Sequence, residues 1–220
     1  MTIRSTGGRV AAFAWFAFAV LNLLDLAFNI TGKGDPHYTV TTGTIAALLL
    51  LGCALAYVLG IRPAIVGDDD AGVLIRNPLR DVRVPWRAVR EIEGTHAVTV
   101  RFAGPDGAEV KARAWVHQTS PRAQAKAEAR ARRDEAHTKV PTAKLKGRTP
   151  ALYAAQRLNE IRERNRPKTR SGAPDKAAAA RTAEEASPAR GAVTWSVPAL
   201  TSLVVPLLML VALGVASVLD

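Results

Sequence analysis

Cysteine is nearly absent from this chain. Cys53 is the only one among 220 residues, so no internal disulfide can form and nothing marks an oxidising compartment. It lies in an apolar run and reads as a small packing residue. Histidine is scarce too. His37, His96, His117 and His137 are dispersed, and no pair stands at metal-ligand spacing with a cysteine or carboxylate. A GxSxG elbow, a P-loop and a Gly-rich dinucleotide fingerprint are all missing. The chain is therefore expected to be no enzyme and to use no cofactor or metal; a cluster of polar side chains converging in a deep pocket would argue otherwise. Asp68-Asp69-Asp70 could contact a divalent ion, but a turn before a strand uses the same residues, and that is the reading taken here. Trp86 and Trp115 read as packing or membrane-interface residues rather than a ligand cage.

Charge is unevenly spread. The net charge is +11, yet residues 1–61 and 193–220 hold few ionisable groups. Residues 62–112 carry eight basic against eight acidic side chains, and residues 113–192 carry 19 basic against eight acidic. A balanced module is thus followed by a basic tail. From residue 119 on, the tail has Tyr153 as its one interleaved aromatic and no DNA-binding motif, so a nucleic-acid partner is not expected.

What fills the two ends is hydrophobic. Val10–Ile30, Ile45–Ile61 and Val193–Leu219 are three runs of 21, 17 and 27 residues. At ~1.5 Å per residue, the first reaches about one hydrocarbon thickness. The third tolerates Pro198 at its start, and Pro206 is expected to kink it. The first run is too long for the core of a cleaved signal peptide and lacks a small-residue cleavage site. Lys and Arg near the span ends set orientation. Arg4, Arg9, Arg62, Lys176, Arg181 and Arg190 flank the sides facing residues 62–192, while the first loop holds Lys33 alone. The expectation is a multi-pass protein of the inner (plasma) membrane, with the N-terminus and residues 62–192 cytoplasmic and the C-terminus outside. Asn22, Asp25 and Asn29 recur at spacings of three and four, which puts them on one helical face. That face reads either as an intramembrane packing seam for another helix or subunit, or as residues settled near the outer interface with Asp25 against Thr or Ser of neighbouring spans.

The middle alternates as strands do. Gly72–Asn77 and Leu79–Val84 read as strands around an Asn77-Pro78 turn. Trp86, Val89 and Ile92 recur every third residue and predict a short helical turn that Gly94 ends. Thr95–Phe102, with His96, Val98, Val100 and Phe102 on one face, is expected to pair with Ala108–Val116 through the turn at Pro105-Asp106-Gly107.

Arg62-Pro63-Ala64-Ile65-Val66, Asp70 to Arg80 with its Asn77-Pro78-Leu79 core, Val84-Pro85-Trp86-Arg87-Ala88-Val89 and Asp106-Gly107 together resemble the short bacterial PH-like domains of small actinobacterial membrane proteins. The resemblance covers about residues 10–118. It implies a curved antiparallel sheet of PH type on the cytoplasmic face after two hydrophobic helices, with no catalytic residues and no established ligand. Arg76, Arg80, Arg83 and Arg87 are the candidates for a headgroup pocket. Asp68, Asp69, Asp70 and Asp81 lie among them, so a solvated charged sheet face is the preferred reading.

Ser120-Pro121 can start a helix in the basic stretch that follows. Its Arg122, Lys126, Arg130, Arg132 and Arg133, with Lys144, Lys146 and Arg148, are candidate contacts to an anionic surface, each worth about 1 kcal/mol there. Thr149-Pro150 opens a better helix, Ala151–Asn165, whose Ala151, Ala154, Ala155, Leu158 and Ile161 form an apolar stripe suited to dock on the sheet. Composition predicts a disordered tether from 166 to 192.

The expected fold is thus an α+β membrane protein. A two-helix anchor (1–61), a PH-like β domain (62–118), a basic, partly helical segment (119–166), a disordered linker (167–192) and a third transmembrane helix (193–220) follow in order. Its expected role is a non-enzymatic interaction module tethering or scaffolding at the inner face of the membrane. The expected partners are the lipid bilayer, anionic inner-leaflet lipids and an unidentified membrane or cytoplasmic protein. A small subunit of a transport or envelope-assembly complex, packing through the first helix, is the alternative.

Overall fold

A computed structural model describes residues 1–32, 39–116, 149–165 and 189–219, together with 118, 122 and 125. It divides into two compact units. One comprises Met1–Arg4, Ala64–Asn77 and Asp81–Thr194; the other comprises Ser5–Pro63, Pro78–Arg80 and Trp195–Asp220.

The first unit is an antiparallel β structure closed by a helix. Strands β1 (Thr2–Arg4), β2 (Ala64–Asp68), β3 (Gly72–Arg76), β4 (Arg80–Val84) and β8 (Ala192–Trp195) form a five-stranded sheet in the order β1-β2-β3-β4-β8. Strands β5 (Val89–Gly94), β6 (Val98–Ala103) and β7 (Glu109–Arg113) form a second, three-stranded sheet. Period-2 alternation turns Ile65, Val73, Ile75, Val82 and Val84 inward from the first sheet and Val98, Val100, Phe102 and Ala112 from the second. The single curved sheet expected from sequence is thus two sheets facing one core. The expected hairpin is present as β6–β7, with Phe102 opposite Val110 and Val100 opposite Ala112. Its Pro105–Gly107 turn is closed by the Gly107 amide donating to the Gly104 carbonyl.

Two local expectations are corrected. Trp86–Ala88 is a short 3₁₀ turn, but Val89–Gly94 is a strand, not a continuation of helix. The three-residue spacing of Val89 and Ile92 arises from a β-bulge. Val89 lies opposite Phe102 and Glu91 opposite Arg101, so Arg90 is the extra residue. The bulge resets the alternation, and Val89 and Ile92 both face the core. His96 is not on a strand face. It is exposed in the bend of Thr95–Ala97, before β6 starts at Val98.

Helix α3 (Pro150–Arg164) is the lid of this core. Thr149 caps it, its hydroxyl accepting from the Leu152 amide, and Pro150 supplies a pre-set first turn. The apolar stripe packs as its periodicity implies: Ala151, Ala154, Ala155, Leu158 and Ile161 are all buried. Leu158 and Ile161 each contribute about 1.5–3 kcal/mol through burial. A Cβ on Gly94 would overlap the Ala151 carbonyl, the Leu152 backbone and the Ala155 side chain, so glycine there lets the helix backbone touch the sheet. Strand β5 is an edge of its sheet, and the helix satisfies its outward carbonyls. Arg162 donates to Val89 O at 2.7 Å and Arg90 O at 3.2 Å, and Asn159 to Ile92 O at 3.2 Å. Arg162 thereby serves the carbonyls that the bulge releases.

The second unit holds three helices long and apolar enough to cross a membrane: α1 (Thr6–Phe28), the run Val40–Ile61 and α4 (Val197–Leu219). The middle run is α2 (Val40–Ala56) continued by a π-wound turn, Tyr57–Ile61, whose widened pitch appears as the Arg62 amide donating to Tyr57 O. Helix α1 packs on this run through Gly8, Ala12 and Gly60, where backbones meet with no room for a side chain, and through Trp15 laid on Gly52. Helix α4 packs on α2 from another side, with Leu213 against Gly43. Phe13, Phe18 and Phe28 of α1 and Leu208, Val211 and Val218 of α4 stay exposed. Helix α4 starts at Val197, later than the expected Val193, because Val193–Trp195 are extended in β8. Pro206 lies inside the helix and is buried.

Arg162→Ala removes the donor from two edge carbonyls. It is expected to lower unfolding free energy by about 1–3 kcal/mol in detergent-solubilised protein. Arg157→Ala, at an exposed position of the same helix, is expected to leave the melting midpoint unchanged. Equal effects of the two would contradict the edge-capping account.

Candidate functional site

The surface of the β unit is built by the same alternation that fills its core. On the outer face of the three-stranded sheet, Arg101 sits between Glu91 at 3.2 Å and Glu93 at 3.5 Å. Arg90 pairs with Glu109 at 2.9 Å. These partly exposed pairs neutralise one another and leave no strong field for an anion. On the five-stranded sheet the register places Arg4, Ala64, Arg76 and Asp81 in one row and Thr2, Val66, Leu74 and Arg83 in the row two positions along. Arg76 and Arg83 therefore share a face and are exposed. Arg87 stands apart on the 3₁₀ turn, and Arg80 belongs to the other unit. The four arginines named as headgroup candidates are thus spread over a sheet face, the 3₁₀ turn and the Pro78–Arg80 turn.

The three acids make structural contacts, mostly through their backbones, and the Asp70 amide donates to Asp68 Oδ1 at 3.4 Å. The Asp68 carbonyl accepts from Trp86 Nε1 at 2.7 Å, the Asp69 carbonyl from the Asn165 side-chain amide, and the Asp69 carboxylate lies 3.8 Å from Arg164. They form the turn between β2 and β3 and pin the C-terminal end of α3. Trp86 thus packs partly buried with its N–H satisfied, whereas Trp115 is exposed. Among the described residues no group of three or more His, Cys, Asp or Glu is placed to hold a metal ion.

Two features of the β unit were not readable from the sequence. Asn77 uses its side chain as a strand does its backbone: Nδ2 donates to Arg113 O at 2.9 Å and Oδ1 accepts from the Trp115 amide at 2.8 Å. It thereby joins the end of β3 to the end of β7. The second is a strap, residues 189–194. Ala189 packs on the core, Arg190 donates to Pro105 O, and the Gly191 amide donates to Ala103 O at 2.8 Å. A Cβ at Gly191 would overlap the Phe102 ring. The chain then enters β8 beside β4. The strap thus ties the β6–β7 hairpin to the five-stranded sheet. The part of the expected tether from 189 to 192 is placed by these contacts; residues 166–188 lie outside those described.

In the helical unit a collar surrounds the start of α4. The turn Pro78–Arg80 is clipped on both sides. Pro78 O accepts from the largely buried Arg62 at 3.2 Å, and Leu79 O accepts from the Ser196 amide at 2.9 Å. Arg80 lies over the Trp195 ring, its guanidinium carbon 4.2 Å from the centroid. At the other end of α1, Asn22 donates to Phe18 O. Asp25 accepts from the Thr31 amide at 2.8 Å and hydroxyl at 3.0 Å, and Asn29 is the left-handed C-cap. Asp25 therefore engages Thr31 of the loop after its own helix. A carboxylate in a last turn opposes the helix dipole, and these two donors offset that cost. Of the tail candidates, Arg122 is exposed; Lys126, Arg130, Arg132, Arg133, Lys144, Lys146 and Arg148 lie outside the described residues.

Gly191→Val is expected to dislodge the strap. Hydrogen exchange read on peptides covering 189–196 should then accelerate by about tenfold or more, the rate effect of losing ~1.4 kcal/mol of local stability. Val193→Ala, at an exposed position, should leave the exchange rate unaltered.

No curated protein and no solved structure matches this chain. One family model does match part of the β unit. Residues 66–134, a little under a third of the chain, match the family described as Bacterial PH domain, so a PH-type domain is present.

Proposed function

We propose that this chain is a membrane-anchored, non-enzymatic PH-type interaction module that tethers or scaffolds at the inner face of the plasma membrane. The observation that carries the reading is the way the PH-type sheet joins the apolar helices. Strand β1 leads into α1 through Ser5 alone, Arg62-Pro63 alone separate the second apolar run from β2, and Ser196 alone separates β8 from α4. A PH-type domain joined without a long linker to helices of this length and hydropathy stays with the bilayer they enter. Its position, rather than an affinity for lipid, would bring it to its partner.

Basic residues near the span ends support the inward orientation. The partner is a membrane or cytoplasmic protein. The basic stretch containing Arg122, Lys126, Arg130, Arg132, Arg133, Lys144, Lys146 and Arg148 adds electrostatic contact with anionic inner-leaflet lipids. The organisation into a two-helix anchor, PH-type domain, basic segment, linker and third span is part of this proposal. The alternative, a subunit of a transport or envelope-assembly complex packing through Asn22, Asp25 and Asn29, draws no support from Asp25, whose carboxylate already accepts two hydrogen bonds from Thr31.

Topology tests the reading directly. In a Cys53→Ala background, Thr31→Cys is expected to react with a membrane-impermeant maleimide on intact cells. Lys111→Cys, on exposed β7, is expected to react only after lysis. Labelling of residue 111 from outside, or release of the chain by alkaline carbonate, would overturn the proposal. If the topology holds, crosslinking from position 111 in native membranes should capture a protein.

A further inference from the structure

We infer that Arg80, stacked on Trp195, forms a binding site for the phosphate of a membrane lipid headgroup. This rests on the membrane reading above and deepens it, because it assigns headgroup contact to one built site rather than to diffuse positive charge.

Four observations converge on Arg80 and Trp195, which both belong to the helical unit. The first is position. Trp195 and Ser196 immediately precede the 23-residue apolar helix Val197–Leu219, the level at which tryptophan concentrates at the edge of the hydrocarbon. The second is exposure: Trp195 is 56% exposed, and Arg80 is exposed as well. The third is donor geometry. A guanidinium lying over an indole face, here at 4.2 Å, keeps its five N–H donors in its own plane. Two parallel N–H groups match two phosphate oxygens, so the stacking fixes the fork without consuming it.

The fourth is the absence of competition and the rigidity of the mount. Among the described residues no carboxylate pairs with Arg80. The only described acid of this unit, Asp25, lies near the far end of α1 and is engaged by Thr31. Asp81, next in sequence, stands opposite Arg76 in the β3–β4 ladder. The turn carrying Arg80 is held on one side by Arg62 on Pro78 and on the other by Ser196 on Leu79. Arg80 is thus presented from a clipped turn at the start of a span. A solvated arginine on a sheet face, such as Arg83, has no such mount.

The test uses the full-length chain reconstituted in nanodiscs of phosphatidylcholine with a minor fraction of phosphatidylglycerol, followed by native mass spectrometry of retained lipid. Removing one interfacial arginine contact should cut phosphatidylglycerol retention about fivefold. Arg80→Gln is expected to show that loss and Trp195→Ala most of it, while Arg83→Gln retains lipid like the parent. An equal loss in Arg80→Gln and Arg83→Gln means net charge alone and overturns the site, as does no loss in either. Protection of Arg80 by inorganic phosphate in lipid-free detergent, with no lipid preference in nanodiscs, would assign the site to free phosphate instead and refute the lipid source. A chain that fails to enter nanodiscs at all refutes the membrane reading itself. That outcome is distinct from insertion without selectivity, which refutes only the site.

Discussion

The docking of α3 on the open side of the two sheets is the contact on which the β unit depends. Neither sheet buries its apolar face by itself: Val73, Ile75 and Val84 from one and Val98, Val100 and Phe102 from the other need a third surface. Leu158 and the alanines of the helix provide it. The approach is close because Gly94 has no side chain and because the stripe beside it is alanine. The same helix answers the polar side of the problem. Strand β5 is an edge with a bulge in it, and Asn159 and Arg162 bind the carbonyls that would otherwise face outward. Hydrophobic burial and edge protection thus come from two faces of one helix, so losing the helix would expose both the core and an open ladder.

The helical unit depends on small residues in the same way. Lipid tails are as apolar as leucine, so helices gain little from greasiness alone and associate where backbones can approach. Gly8, Ala12 and Gly60 give α1 and the π-wound turn such an approach, and Gly52 receives the Trp15 ring. The large apolar side chains are left outside, on helices long and apolar enough to cross a membrane.

The two units share a chain that crosses between them repeatedly, and this gives the proposed function its physical basis. The strands β1, β2 and β8 are each joined to an apolar helix by one or two residues, so no long linker separates the PH-type domain from those helices. The strap and β8 add a third such link after the segment matched by the family. The sheet that the helices join therefore includes strands from both ends of the sequence.

By itself, the sequence determined the three apolar runs, the alternation of β3, β4, β6 and β7, the β6–β7 turn and the apolar stripe of α3, because each is a local pattern with its own period. Length and hydropathy need no partner to be read. Tertiary structure decided the rest. The i, i+3 spacing of Val89 and Ile92 fits a helix as well as a bulged strand, and only pairing with Phe102 and Arg101 selects the strand. Thr2–Arg4 and Ala192–Trp195 are too short to declare themselves and are strands only because β2 and β4 offer free edges. Asn77 reads as a turn residue, yet its amide also bridges to Arg113 and Trp115. Arg80 and Trp195 stand more than a hundred positions apart, and no periodicity relates them. Such pairings are long-range hydrogen bonds and contacts whose partners are chosen by the fold, and composition carries no record of them.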